Sequence, residues 1–442
     1  MTSRPFSYAC AAFFLLALLL GGASRDEVFT SDIVAAASTP LLAWAIWRLS
    51  GKPVESAERL PLLILAGCFL VGLLQLVPLP AGLWAALPGR ERIAAELAMA
   101  SVDRTWAPLS LTPQATVSTL MALVPAAAVF LATRTLSASG RRLMILVLFG
   151  VAAASAIVGA LQVLGGQDSP LRFYAVTNPN PAVGFFANRN HLASLLACAI
   201  PFALVEAIAS LRDRGRTRAS GLALAGGVLL LAVVGIAMTQ SRAGLLLAGL
   251  ALVGGLALAW RSELKTGRWP LIIAGLGVVA ALALAPIVFA GAFARIEDGV
   301  QDSLRLDAVM VGAEAAWAFA PLGAGLGSFV PVYMMFETPA VMQNTYLNHA
   351  HNDWLELLIE TGLPGLLLML AFLVWFVLAS RRAWRPRESI GPIARAASLA
   401  IVFLMVHSLV DYPLRTPAVL CLFALACGLL LPPRAADGAQ PR

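Results

Sequence analysis

The residues best suited to chemistry form one short run. His349 and His351 stand in NHAHNDWLELLIETG, beside Asn352, Asp353, Glu356 and Glu360. An imidazole changes charge near neutral pH, so it is the natural general base for a hydroxyl group. Asp353, Glu356 and Glu360 follow one another at i, i+3 and i+7, which puts them on one helical face. Two readings stand: a base with carboxylates to orient it, or an interfacial cap above a solvated acidic face. The other two histidines, His191 and His407, lie outside this run.

Three arginines stand out. Arg242, in TQSRAG, sits between two apolar stretches with almost no loop. It needs a carboxylate or an anionic ligand, or else it snorkels from a helix end. Arg305, in DSLRLD, falls in the first turn of an expected helix, where a cation opposes the dipole. An external phosphate would account for it, and so would a salt bridge to Asp302 or Asp307. Arg189, in FFANRNHLAS, precedes a long apolar stretch. There it points with the helix N-terminal amides toward an anion, or the segment is simply capped by Asn188 or Asn190.

His407 and Asp411 are spaced i, i+4 and are followed by Arg415. An ionisable pair near a membrane face is a functional hypothesis by default; a buried structural hydrogen bond is the other reading. GAGLGSF (Gly323, Gly325, Gly327) lacks the strand–turn–helix context of a nucleotide loop and reads as a tight turn. Glu297, Asp298, Asp302 and Asp307 contain no compact paired-carboxylate motif, so no metal and no cofactor is expected. The five cysteines (Cys10, Cys68, Cys198, Cys421, Cys427) lie in apolar runs and read as small core residues.

The elements that hold these groups are set by composition. Of 442 residues, 60% are hydrophobic and 12% charged, about half the usual charged share. So little charge cannot cover a soluble surface, and lipid must solvate most of the chain. Disorder is excluded on the same ground. Twelve continuous apolar stretches are long enough to be spans: 6–22, 32–47, 61–80, 114–133, 143–164, 191–211, 221–239, 243–260, 270–292, 363–380, 396–412 and 416–432. Continuous runs exclude a strand-built barrel. The first stretch reads as a span, since eleven more follow it and Arg4 alone marks a signal-peptide n-region.

Threading the loops alternately through twelve spans puts 21 of the 31 basic residues on one side, together with only seven of the 24 acidic residues. By the positive-inside rule that side is the cytoplasm, and both termini lie there. The net charge of +7 is then a topology signal, and nucleic acid is not needed to explain it. The long segments 81–113, 165–190 and 293–362 fall outside. The last separates the ninth and tenth spans, and a loop of that length is usually functional. Asp298 or Asp302 is expected to cap a helix that Pro321 ends. A short helix over His351–Thr361 should stop at Gly362 and restart at Pro364. The expectation is an all-α polytopic membrane protein of about 12 transmembrane helices. It forms one domain over 1–442, with one large outer loop.

The run HAHNDWLELLIETGLPG resembles the signature of the O-antigen ligase superfamily, which also holds Wzy-type polymerases and protein O-oligosaccharyltransferases. TQSRAG, FFANRNHLA and PLGAGLGSF occupy matching places, and the likeness covers residues of roughly 180 to 415. The resemblance implies metal-independent glycosyl transfer at the periplasmic face of a bacterial inner membrane. The donor would be a glycan on undecaprenyl diphosphate, and the acceptor lipid A core or another glycan. By motif, His351 corresponds to the histidine acting on the acceptor hydroxyl, and Arg242 and Arg305 to the arginines holding the diphosphate. Arg189 departs from the pattern, in which a proline often separates the two asparagines. The chemistry is consistent: arginine forks stabilise a leaving diphosphate without a metal, and the acceptor needs a base. The choice between a ligase and an O-antigen or exopolysaccharide polymerase is open on these residues. A lipid-linked saccharide transporter would instead expect repeats and polar groups at the bilayer midplane.

Overall fold

The computed structural model describes residues 3–25, 29–213, 215, 217–261, 300–339, 342, 347–385 and 391–434, with only the backbone of residues 3 and 300–306. Its frame is a bundle of apolar helices: α1 (Ser3–Leu20), α2 (Phe29–Leu49), α3 (Ser56–Gln75), then after the first long loop α6 (Pro113–Thr135), α7 (Ala138–Leu164), α8 (Arg189–Arg212), α9 (Thr217–Thr239) and α10 (Arg242–Arg261). It closes with α13 (Asp353–Trp384), α14 (Pro392–His407) and α15 (Pro417–Leu430). Among the described residues, eight helices are long and apolar enough to cross a membrane, while α1, α14 and α15 are shorter apolar helices. The protein is thus a polytopic helical membrane protein. The ninth expected span, 270–292, lies outside the described residues.

Prolines start several helices. Pro113, Pro392 and Pro417 stand in the first turns of α6, α14 and α15, where the missing N–H is not needed. From Asn190 to Leu204 helix α8 is buried on every side, packed by α9, α10 and α14, as expected for a helix apolar all round. Small residues let its neighbours approach: a side chain at Gly244 would meet Ala193, and one at Gly235 would meet Leu196.

The long loops build a second layer at one end of the bundle. Residues 76–112 hold a two-stranded antiparallel ribbon, β1 (Pro78–Pro80) with β2 (Trp106–Pro108), and helices α4 (Ala81–Ala85) and α5 (Glu91–Met99). The ribbon was not expected in an all-helical chain; with two prolines and three residues per strand it carries no readable alternation. Arg90 is fully buried there, donating to the carbonyls of Leu109 (2.6 Å) and Gly323 (3.4 Å). Burial pulls its pKa down to about 10. Helices α11 (Val300–Ala318) and α12 (Phe329–Phe336) form a separate small core with Ala350 and Ile359.

Gly362 interrupts α13 with φ 57° and ψ −140°, a backbone that suits glycine. A side chain there would strike the Pro321 carbonyl. The segment therefore reads as two helices, a short one to Thr361 and the membrane helix after it. The GAGLG segment is a tight turn with three positive φ angles, and it wraps the end of the short helix: the Gly325 N–H donates to the Glu360 carbonyl (2.9 Å), and the Gly327 N–H to Glu360 Oε1 (2.9 Å).

At the opposite end of the bundle, Glu58 of α3, Arg134 of α6 and Arg434 close a second buried charge cluster. The five cysteines are free; four are buried and Cys68 is half-buried.

Candidate functional site

The stretch between α14 and α15 gathers all four histidines. The sequence reading ran the eleventh span to residue 412, but α14 stops at His407. Pro413 explains this, since the residue before a proline is driven out of the helical region; Tyr412 has φ −122° and ψ 51°. The chain turns instead, and a short 3-10 turn, Pro413–Arg415, leads into α15. Asp411 and Tyr412 immediately precede the 3-10 turn, and both are buried.

Asp411 is the hub. Its Oδ1 lies 3.0 Å from His351 Nδ1 and accepts the Tyr412 N–H (3.0 Å); its Oδ2 accepts from Asn190 Nδ2 (2.5 Å) and lies 3.6 Å from His407 Nε2. Burial alone would raise its pKa, but the rings of His351 and His407 outweigh this and hold it well below the usual carboxylate range. An ionised carboxylate can only accept, so His351 Nδ1 is the nitrogen that carries a hydrogen toward it. The sequence reading left His407–Asp411 as either a functional pair or a structural bond. His407 Nδ1 pairs with Ser194 Oγ (2.5 Å), and Asp411 also reaches the histidine motif.

His351 holds a left-handed backbone, φ 50°, which costs a non-glycine residue about 1–3 kcal/mol. The next residue fixes the turn: Asn352 caps α13 through the Leu355 N–H (3.0 Å) and donates to the Leu409 carbonyl (3.1 Å). His349 forms a parallel pair, its Nδ1 2.8 Å from Glu356 Oε1. The His349 side chain is 9% exposed and that of His351 22%, so His351 is the more accessible imidazole.

Tyr412 packs against three histidine rings at once: His191 (5.2 Å), His349 (4.3 Å) and His351 (5.0 Å between centroids). Burial, then the charge of Asp411, pushes its hydroxyl up to about 12, so it stays neutral. His191 Nδ1 meets Thr416 Oγ1 at 2.8 Å. Sequence reasoning missed Tyr412, Thr416, Ser194 and Ser241. The signal for Tyr412 and Thr416 was DYPLRTP, a twice-prolined turn between two apolar stretches; Ser194 and Ser241 stood inside FFANRNHLAS and TQSRAG, beside the arginines read there.

Asp353, Glu356 and Glu360 do share a face, but it is buried. All three surround Arg415, at 3.8, 3.5 and 2.8 Å. Burial would lower the pKa of Arg415, but Glu356 and Glu360 override it and the guanidinium stays charged. The solvated-face reading is therefore excluded: Ser408 Oγ and the Leu414 N–H also bind Asp353 Oδ2.

Asn190 links this hub to two arginines. Its Oδ1 accepts from Ser241 Oγ (2.6 Å), and Ser241 Oγ accepts the Gly244 N–H (2.9 Å) at the start of α10. Arg189 and Arg242 are the first residues of α8 and α10, each adjacent in sequence to this bridge. Arg242 is exposed and Arg189 half-buried, its N–H held by Asn178 Oδ1 (2.9 Å). Two helix N-termini thus meet where two arginines stand, a suitable surface for an anion. The backbone of Arg305 lies in the first turns of α11; its side chain, with those of Glu297, Asp298 and Asp302, lies outside the described residues. Among the described residues no three His, Cys, Asp or Glu side chains are set to hold a metal.

Residues 227–370 match the family model described as O-antigen ligase. The matched segment contains Arg242, Arg305, His349, His351 and the acidic face of α13, while Asp411, Tyr412 and Arg415 come from beyond it. No curated protein matches the chain.

Proposed function

We propose that this chain, which carries an O-antigen ligase family segment over residues 227–370, is a membrane glycosyltransferase. It moves a glycan from undecaprenyl diphosphate to an acceptor hydroxyl at the periplasmic face. The carrying observation is the His351–Asp411 pair, tied through Asn190 and Ser241 to the helix ends that bear Arg189 and Arg242.

In this scheme the acceptor hydroxyl oxygen attacks the anomeric carbon of the donor sugar. His351 Nε2 takes the hydroxyl proton as the new C–O bond forms. Asp411 holds the ring in the required tautomer and stabilises the imidazolium, as a buried carboxylate does behind a catalytic histidine. The bond to the diphosphate oxygen breaks, and undecaprenyl diphosphate leaves. Arg242 and Arg305, with Arg189 beside them, meet the charge that develops on the leaving group. His349, Asn352, Asp353, His407 and Arg415 support the turn. No step needs a metal. The basic asymmetry of the loops supports cytoplasmic termini and an outer site.

The transfer reaction is tested with membranes matched for protein level. His351→Ala abolishes transfer and His349→Ala leaves most of it; the reverse result moves the base to His349, and full activity in both removes it from this loop. The acceptor is read from cell-surface glycans of a deletion strain. Loss of capped lipopolysaccharide with accumulated lipid-linked polymer marks a ligase, our preferred reading, and single repeat units mark a polymerase.

A further inference from the structure

Three helices that meet near the histidine turn also end together at the far side of the bundle. Helices α8, α10 and α14 pack against one another pairwise. At the near end they carry Asn190, Arg242 and His407; at the far end they carry Arg212, Arg261 and Arg395. About 28 Å of helix separates Arg242 from Arg261, close to the thickness of a bilayer core. The far arginines therefore stand at the opposite membrane surface.

Positive charge is in excess there. Arg212 and Arg261 lie close enough for their charges to act on Arg395. Arg395 Nε donates to the Ala383 carbonyl (3.0 Å), which joins the end of α13, with Arg381 and Arg382, to the same place. The acidic residues described at this end of the bundle are engaged by other groups. Glu55 caps α3, Glu58 is held by Arg134 and Arg434, Glu206 by Arg142 (2.6 Å), and Asp213 by the Thr217 hydroxyl and the Gly215 N–H. Whatever hydrogen bonds each guanidinium makes, three helix ends bring like charges together, and an anion with several acceptor oxygens relieves their repulsion.

A second feature selects the anion. On α10, Leu246, Val253 and Trp260 repeat every seven residues and are all exposed, Trp260 by 80%. This stripe faces lipid and ends beside Arg261. On the inner side, Trp384 is fixed by its Nε1 donating to Ser398 Oγ (2.9 Å), and the Arg395 guanidinium lies 6.0 Å from its ring centroid. A phosphate headgroup on acyl chains matches both the arginines and the stripe; a soluble phosphate matches the arginines alone.

We propose that the far ends of α8, α10 and α14 bind the headgroup of an anionic phospholipid through Arg212, Arg261 and Arg395, with its acyl chains along Leu246, Val253 and Trp260. The lipid then ties together three helices whose other ends position Asn190, Arg242 and His407. Placing it in the cytoplasmic leaflet rests on the outer site read above; its binding does not.

The full chain in dodecyl maltoside is titrated with phosphatidylglycerol and with phosphatidylcholine, and bound lipid is counted by native mass spectrometry. Phosphatidylglycerol is expected to bind about 10²-fold more tightly, roughly fivefold for each arginine. Arg212→Gln/Arg261→Gln, at two exposed positions, should lower that preference about 25-fold. Lys52→Gln/Arg59→Gln removes the same charge from exposed positions at the same end of the bundle and should leave the preference within about twofold of wild type, less than one arginine's share. Raising ammonium acetate from about 0.1 to 1 M should weaken the preference, because salt screens exposed charge, and this needs no variant. Equal binding of the two lipids, equal loss in both double variants, or a preference indifferent to salt overturns the proposal. Displacement of the lipid by millimolar inorganic phosphate overturns it too, by making the site one for a soluble anion. No glycan donor is present, so these outcomes are independent of whether His351→Ala stops transfer.

Discussion

Two buried charge clusters stand at opposite ends of the same bundle, and they are built differently. In the Glu58 cluster, Arg134 directs Nε and Nη2 at Glu58 Oε1 (2.9 and 2.6 Å) and Nη1 at the Pro432 carbonyl (2.9 Å). Arg434 holds both Glu58 oxygens from the other side (2.9 and 2.5 Å). Both side chains of the Arg134–Glu58 pair are 2% exposed. Its bonds join α3, α6 and the chain after α15, which is a fastening. The Asp411 cluster is equally buried but not closed. One of its histidines, His351, has a left-handed backbone and a side chain 22% exposed. Burial of charge is common to both; backbone strain and an accessible imidazole distinguish the site.

The comparison breaks first at His351. Its replacement by alanine should lower transfer by about 10²–10⁴-fold, the range for loss of a general base, with expression and thermal midpoint near wild type. Transfer of a radiolabelled glycan by matched membranes measures it. Asp411→Asn should follow closely, because an amide no longer dictates the imidazole tautomer. An active Asp411→Asn would reduce the hub to a fastening like the other.

Arg242 comes next. Arg242→Ala should cost about 10²–10³-fold in kcat/KM, as for one contact to developing charge. Arg242→Lys should recover little, since lysine lacks the fork. Full rescue by lysine would mean that Arg242 supplies charge without orienting the leaving group.

Glu58→Gln should show the opposite pattern. Two guanidiniums lose their buried counter-charge, a loss of about 3–5 kcal/mol, read as a lower thermal midpoint in detergent. Transfer per folded molecule should be unchanged. A catalytic defect at wild-type stability would erase the distinction between the two ends.

The smallest effect is expected for Tyr412→Phe. The ring that touches three histidines remains, and only the hydroxyl, 3.5 Å from Asn348 Nδ2, is lost. Removing it should cost about 1 kcal/mol and change transfer less than tenfold; a complete loss of activity would give the hydroxyl itself a role in the reaction.

Much of this was readable in one dimension. Apolar length, the charge asymmetry of the loops and the placement of Pro364 and Gly362 depend on neighbours within a few residues, so composition and spacing determine them. The histidine motif was legible for the same reason: Asp353, Glu356 and Glu360 share a face on any helix. What that face meets was not. The sequence allowed solvent, and the fold placed Arg415 there, from 55 residues beyond Glu360. Likewise, 60 residues separate His351 from Asp411 and 221 separate Asn190 from Asp411. Such pairs have no local signature, because what brings them together is the packing of α8 against α14 and the turn forced by Pro413. Helix and membrane preference are sums over adjacent residues, and the sequence by itself determined them. The hub joins residues from four separate segments, and only the tertiary structure decided that a tyrosine and an aspartate between two helices would become its centre.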